Sequence, residues 1–243
     1  MGPDFSPVEP ADPVVDVPVG EAIGGWVVAW LSGGVLATLI ALGIGSGGGS
    51  TPGPWVLLGL AVAQWTPFVV LLVAVGRRRG GTGRPDADFG LRWRPVDVVG
   101  VPLGVVTQLV VVPAVYVPLG RWWPTTFETE RVERRARDLW ESSSGAGIIA
   151  LVVVVVIGAP LVEELVYRGL LQRSLVRRAG AAVGVTLATV WFALVHVQPV
   201  EYPGLLIAGA AFGIPAALTG RLGASVLAHV AFNAAGLAVV AAG

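Results

Sequence analysis

The sequence predicts an all-α fold: a polytopic transmembrane helix bundle of about seven spans, with six to eight as the range. Two observations carry this. Of 243 residues, 54% are hydrophobic and only 13% charged, where a soluble domain carries roughly 25% charged residues. Apolar runs long enough to cross a bilayer, roughly 20 residues each, also recur along the chain, and one of them, Gly145 to Val162, holds no charged side chain.

Taken in order, residues 1–21 carry Asp4, Glu9, Asp12, Asp16 and Glu21 among prolines, with no basic residue. That is the reverse of a signal-peptide n-region, and it reads as a disordered acidic tail. Candidate spans follow at 22–44, 55–76, 96–119, 146–171, 182–197, 204–219 and 222–242. The first two are joined by the flexible turn Gly45 to Pro54. The sixth is short and holds Pro215, so it either spans or re-enters. Residues 22–120 thus form an N-terminal set of transmembrane helices and 146–243 a C-terminal set. Between them, 121–145 is an amphipathic connector on the extracytoplasmic side. There Thr125 to Glu128 fits a capping box, and Val132, Ala136, Leu139 and Trp140 recur at helical spacing.

Arginine placement orients the bundle. All 16 basic residues are arginine. Eleven belong to one side (Arg77, Arg78, Arg79, Arg84, Arg92, Arg94, Arg168, Arg173, Arg177, Arg178 and Arg221), against five within 121–137. Positive charge favours the cytoplasmic face, which places the N-terminus inside an integral multi-pass protein of the cell membrane. With seven spans the C-terminus lies outside, and a re-entrant sixth segment would bring it inside. The formal net charge of zero gives no basic face for a nucleic-acid partner. With no cysteine, disulfides, thiolate metal sites and a cysteine nucleophile are excluded.

Charge inside the spans is one-sided. The first three hold only Asp97, at an edge, whereas the last eighty or so residues hold Glu163, Glu164, Arg168, His196, His229 and Asn233. A charged side chain deep in a bilayer costs about 2.5–3.5 kcal/mol on insertion scales, so such residues have partners and a task. Glu164 and Arg168 stand at i and i+4 with the acid first, the favourable order for a pair on one helix face. Glu163 lies about 100° around the helix and is left for another partner, which suits a general acid or base. Pro160, one turn earlier, frees the carbonyl of Val156 and introduces a kink.

Depth links three spans. If spans four and five turn at Gly180, Glu164 lies 16 residues before it and His196 16 after it, and His229 lies eight after Arg221. All three then fall about 12 Å from the inner boundary at about 1.5 Å per residue. Phe192 with His196, and His229 with Asn233, are further i, i+4 pairs that share a face.

These residues resemble the three motifs of the CAAX protease and bacteriocin-processing (Abi) family, whose known enzymes are the type II CAAX prenyl endopeptidases. Glu163-Glu164-Leu-Val-Tyr-Arg168, followed by Gly169 to Gln172, is similar to the first motif. Phe192-Ala-Leu-Val-His196 is similar to the second, and His229-Val-Ala-Phe-Asn233 to the third. The likeness covers about residues 145–240, and residues 1–120 resemble nothing specific. It implies an intramembrane endopeptidase acting on membrane-associated peptide or protein substrates, prenylated CAAX peptides being the family's best-known case. In it Glu163 and His196 would activate water, while His229 and Asn233 would donate to the oxyanion. Glu164, Arg168 and Phe192 would support the site.

No cofactor is implied. The alternative chemistry would use Glu163, His196 and His229 as zinc ligands around an open water position. Two other readings compete with a protease: a non-hydrolytic scaffold or bacteriocin-immunity protein on the same fold, and a transporter with buried titratable groups. Other intramembrane protease signatures (His-Glu-x-x-His, Gly-x-Ser-x-Gly, Gly-x-Gly-Asp) are absent from the sequence.

Overall fold

Apolar runs placed in lipid leave each backbone N–H and C=O only its own chain as partner, so they fold as helices. The computed structural model describes residues 14–45, 52–127 and 129–243, with the side chains of 129–133 left aside. Among these the fold is helical throughout, with no strand. Asp4, Glu9 and Asp12, the centre of the turn between the first two spans, Glu128 of the capping box and the side chain of Val132 lie outside the described residues.

Eight long helices organise the chain. They are α1 (Val19–Gly43), α2 (Pro54–Arg78), α3 (Pro95–Trp122), α4 (Thr129–Glu141), α5 (Ala146–Ala179), α6 (Ala181–Leu194), α7 (Tyr202–Thr219) and α8 (Gly223–Ala242). Six of them are long and apolar enough to cross a membrane: α1, α2, α3, α5, the segment Pro199–Thr219 containing α7, and α8.

Two expectations about the spans change. The fourth extends to Ala179, so that α5 runs for 34 residues, about 50 Å of helix. The short segment is the fifth rather than the sixth. Helix α6 has 14 residues, about 21 Å, against a hydrocarbon core of about 30 Å. By contrast, α7 continues through Pro215 without a break. Residues 14–21, read from composition as part of a disordered acidic tail, are ordered. Val15 and Val17 are buried, the amide of Val15 donates to the carbonyl of Asp88 at 3.1 Å, and α1 begins at Val19. Alternating valines let this segment cover the core despite its acids.

The chain ends and turns sort onto two faces. On one, Glu21 pairs with Arg79 and Asp16 with Arg177. Arg221 reaches Asp97 at 2.7 Å, Leu222 N–H donates to Gly90 O at 2.9 Å, and Arg173 donates to Gly220 O at 3.0 Å. The N-terminal segment, the α2–α3 loop, the α5–α6 turn and the α7–α8 turn therefore share this Arg-rich face. Gly180, at φ +83°, makes the tight α5–α6 turn, a conformation glycine adopts without steric cost. The opposite face carries the α1–α2 turn, α4 and the start of α5.

The core lies between α1, α2, α5 and α6, where Trp26, Phe68, Leu72, Tyr167, Leu170 and Phe192 form one buried cluster. Helix α3 is fixed separately against α8. A Cβ on Gly100 or Gly104 would collide with the α8 backbone at Ala224 and Ala228, so these glycines permit direct helix-to-helix contact, as small residues do between membrane helices.

Candidate active site

Helix α5 departs from α-helical register before Glu163 and again from Glu164 onward. Val153–Gly158 and Glu164–Gln172 are π-helical, a local widening that recurs at functional sites. The register explains a discrepancy with the sequence reading. In an i→i+5 pattern the acceptor deprived of a partner by Pro160 is Val155 O rather than Val156 O. The side-chain amide of Asn233 on α8 supplies the missing hydrogen, donating to Val155 O at 2.8 Å.

The predicted i, i+4 pair is present and buried. Arg168 Nη1 stands 3.2 Å from Glu164 Oε1, with the two side chains 1% and 0% exposed. The contact is an ion pair by distance rather than an aligned hydrogen bond. The guanidinium also donates through Nη2 to Gly209 O at 3.2 Å and lies 4.5 Å from the Phe192 ring centroid. A buried cation held by a carboxylate, a carbonyl and an aromatic face is well compensated. One turn further on, Gln172 donates to Gly213 O at 2.8 Å. Residues 164, 168 and 172 thus make a polar strip that fastens α5 to α7, and Gly213 leaves the room that the Gln172 carbonyl oxygen occupies. Ser225 adds a bond from α8 to Phe212 O at 2.7 Å. Neither Gln172 nor Ser225 was assigned a role from the sequence; Gln172 ends the stretch that follows the first motif, and Ser225 is marked only as a polar residue within an apolar run.

His229 takes a different place from the one its spacing with Asn233 suggests. Its Nδ1 lies 2.9 Å from Glu164 Oε1, and its Nε2 lies 3.9 Å from Glu163 Oε2. The ring stacks on Phe212, with centroids 4.4 Å apart. An ionised Glu164 can only accept, so Nδ1 donates to it. His229 therefore joins the two glutamates from behind, while Asn233 bonds to α5 one turn higher.

His196 closes the constellation. It lies just past the end of α6, and its Nδ1 is 2.7 Å from the carbonyl of Phe192, four residues earlier. A carbonyl only accepts, so this nitrogen carries the proton and the neutral ring keeps its lone pair on Nε2. The ring packs edge-on to Phe192 at 4.9 Å. Val197, next in the chain, has φ +53°, a sparsely populated conformation for a β-branched residue and a site of local strain.

Glu163, whose side chain is 25% exposed, and His196 both line two cavities. One, of about 410 Å³, runs between α3, α4, α5, α7 and α8 and is also lined by Gln108, Tyr116, Arg135, Glu201 and Asn233. The other, of about 290 Å³, borders the aromatic side chains Trp30, Trp65, Phe68 and Tyr167 and again Arg135. Glu163 is the more exposed acid, Glu164 the buried one. Sequence reasoning did not pick out Arg135, Gln108 or Tyr116, because they belong to helices whose own patterns show no chemistry.

The zinc alternative requires three donors close together. Among the described residues no group of three or more His, Asp or Glu side chains could hold a metal ion.

Residues 145–235 match the family model described as Type II CAAX prenyl endopeptidase Rce1-like, consistent with the CAAX protease and bacteriocin-processing family that the three motifs resemble. No curated protein and no solved structure gives a significant match.

Proposed function

We propose that this protein is an intramembrane endopeptidase in which Glu163 and His196 activate water. The single observation that carries the reading is that these two side chains, one on α5 and one just past the end of α6, line the same cavities inside a membrane bundle. The family-model match over residues 145–235 supports the same class of activity.

The reaction follows from the available groups. A water held between the Glu163 carboxylate and His196 Nε2 gives up a proton as its oxygen attacks the scissile carbonyl carbon. The negative charge develops on the carbonyl oxygen, where donors already in place are worth most. Asn233 uses one amide hydrogen on Val155 O and has a second for that oxygen. His229 is the second donor when its ring carries both protons, because Nδ1 already serves Glu164. The collapsing intermediate breaks the C–N bond, the captured proton passes to the leaving amine, and a carboxylic acid and an amine result. Glu164 and Arg168 take no part in proton transfer; they hold His229 and the α5–α7 contact.

The test is cleavage of a peptide library by purified protein, with Glu163→Gln as the control. Cleavage that persists in Glu163→Gln would remove the assignment. Stoichiometric zinc in active protein, with activity lost to a chelator and restored by zinc, would convert His229 from donor to ligand. No cleavage of any peptide, in protein of intact fold, would favour the scaffold or immunity reading.

A further inference from the structure

A further cavity lies apart from Glu163 and His196, at the Arg-rich face between the ends of α5 and α7. Its volume is about 350 Å³, within the range of about 300–1,000 Å³ that small-molecule sites occupy. Arg168, Gln172, Arg173 and Arg177 line it, together with Ala217 of α7 and Val14 of the N-terminal segment. No acidic residue lines it.

The register of α5 gathers these arginines. In a regular α-helix residues five apart point about 140° apart, so Arg168 and Arg173 would face different ways. The i→i+5 pattern of Glu164–Gln172 turns them to one side. Arg177 follows four residues later, where α5 is α-helical again, and so keeps to the same face. Three guanidiniums therefore meet in one hollow.

Their compensation is unequal. Arg168, at the inner end, is buried and balanced by Glu164. Arg177, at the outer end, pairs with Asp16, the two side chains being 41% and 79% exposed, and exposed pairs of this kind contribute little. Arg173, between them, donates to Gly220 O at 3.0 Å and has no carboxylate partner among the described residues. The side-chain oxygen of Gln172 and Nη1 of Arg168 are buried without a hydrogen bond, so the polar groups around the hollow are not all satisfied from within the chain. Leu218, next to Ala217, is 81% exposed, so apolar surface of α7 follows directly on the lining.

We propose that this cavity is a binding site for a phosphate group, carried by an anionic phospholipid headgroup or by a soluble phosphate. Guanidinium forks match phosphate oxygens in two-point contacts and are less strongly hydrated than an ammonium. Basic pockets between membrane helices are also where lipid phosphates bind. The phosphate takes hydrogen bonds from Arg173 and Arg177 and sets negative charge among three cations that have only Glu164 and Asp16 as paired carboxylates. Glu163 and His196 line no part of this cavity, so the site is separate from the catalytic one and does not rest on the endopeptidase reading.

The test is titration of the full chain in an uncharged detergent, read by equilibrium binding and by thermal unfolding. The probes are short-chain phosphatidylglycerol, short-chain phosphatidylcholine and inorganic phosphate. A ligand that binds the folded state raises the melting temperature. The expected result is a saturable rise with phosphatidylglycerol and none with phosphatidylcholine. Inorganic phosphate that saturates the same response would assign the site to the soluble anion, and inertness of inorganic phosphate would assign it to the lipid. Arg173→Gln and Arg177→Gln should each weaken binding by about 10-fold or more, as loss of a hydrogen bond to a charged group does. Arg178→Gln removes the same charge from an exposed neighbour outside the lining, and should change binding by no more than about 2-fold, since exposed charges are screened. Arg177→Gln gives up only the exposed pair with Asp16, so it reports on the site even if Arg173→Gln does not fold. The absence of a saturable response to both phosphatidylglycerol and inorganic phosphate would overturn the proposal, as would an equal response to phosphatidylcholine. Equal losses in Arg177→Gln and Arg178→Gln would overturn it too, because binding would then be to the diffuse charge of the face. Neither readout needs cleavage, so a failed peptidase assay and a failed binding assay are separate results.

Discussion

The two halves of this bundle are built to different densities. In the most apolar stretches of α1, α2 and α3, 17% of residues are buried within the protein, whereas the corresponding shares are 33% for α5, 33% for the segment containing α7 and 39% for α8. The N-terminal helices expose valines and leucines such as Val28, Leu39 and Val70, which lipid accepts at no cost. The C-terminal helices instead turn toward one another and share buried polar contacts: Glu164 with Arg168 and His229, Gln172 with Gly213, Ser225 with Phe212. The contrast teaches where the hydrophobic effect stops helping. Between apolar helices in lipid it supplies no net attraction, so close packing and hydrogen bonds hold the functional half together, and the outer half acts mainly as a wall.

The largest effect expected from this division separates chemistry from packing. Glu163→Gln should lower cleavage by about 10²–10⁴-fold, the usual contribution of a general base. Its melting temperature in detergent should stay near wild type, because Glu163 borders a cavity. A strongly destabilised Glu163→Gln would merge site and scaffold and weaken the comparison.

Arg168→Ala should act on both. It strands buried Glu164 and releases Gly209 O, at a cost of about 3–5 kcal/mol in stability, with activity falling through misplacement of His229. Glu164→Gln combined with Arg168→Gln should recover part of that stability, measured by thermal or denaturant unfolding in detergent. A double variant no more stable than Arg168→Ala would show that the pair is not the source of the loss.

Helix α3 sharpens the comparison, since it belongs to the loosely packed half yet touches α8 directly. Gly→Ala inside a helix is ordinarily favourable by about 0.5–1 kcal/mol. At Gly104 the sign should reverse, with a loss of about 1–3 kcal/mol from overpacking against Ala228. An unfolding titration that finds Gly104→Ala stabilising would mean that α3 is free to move away from the functional half. The smallest effect belongs to the lipid-facing wall. Leu39→Ala should change stability by about 0.5 kcal/mol or less, in line with other exposed sites away from special contacts, and leave cleavage unchanged. A large loss there would indicate a partner covering α1.

The sequence by itself determined what depends on composition and on neighbours along one helix. Membrane insertion follows from runs of apolar residues, and the Glu164–Arg168 pair follows from a spacing of four. The edge-on packing of Phe192 and His196 follows from the same period. The meeting of Glu164 with His229 accords with their placement at one height, because rise per residue converts counting into height. Tertiary structure decided what depends on rotation and on the meeting of distant segments. Counting residues cannot fix the azimuth of α8, so His229 turned to Glu164 and Asn233 to the carbonyl that Pro160 leaves without a partner. Nor does hydropathy distinguish a helix long enough to cross the bilayer from one like α6, which has 14 residues. That Arg135 lines the same cavities as Glu163 was likewise invisible, since an amphipathic helix carries no record of which surface it will cover. Local geometry is written at each residue, whereas long-range contacts are settled only when every helix has found its neighbours.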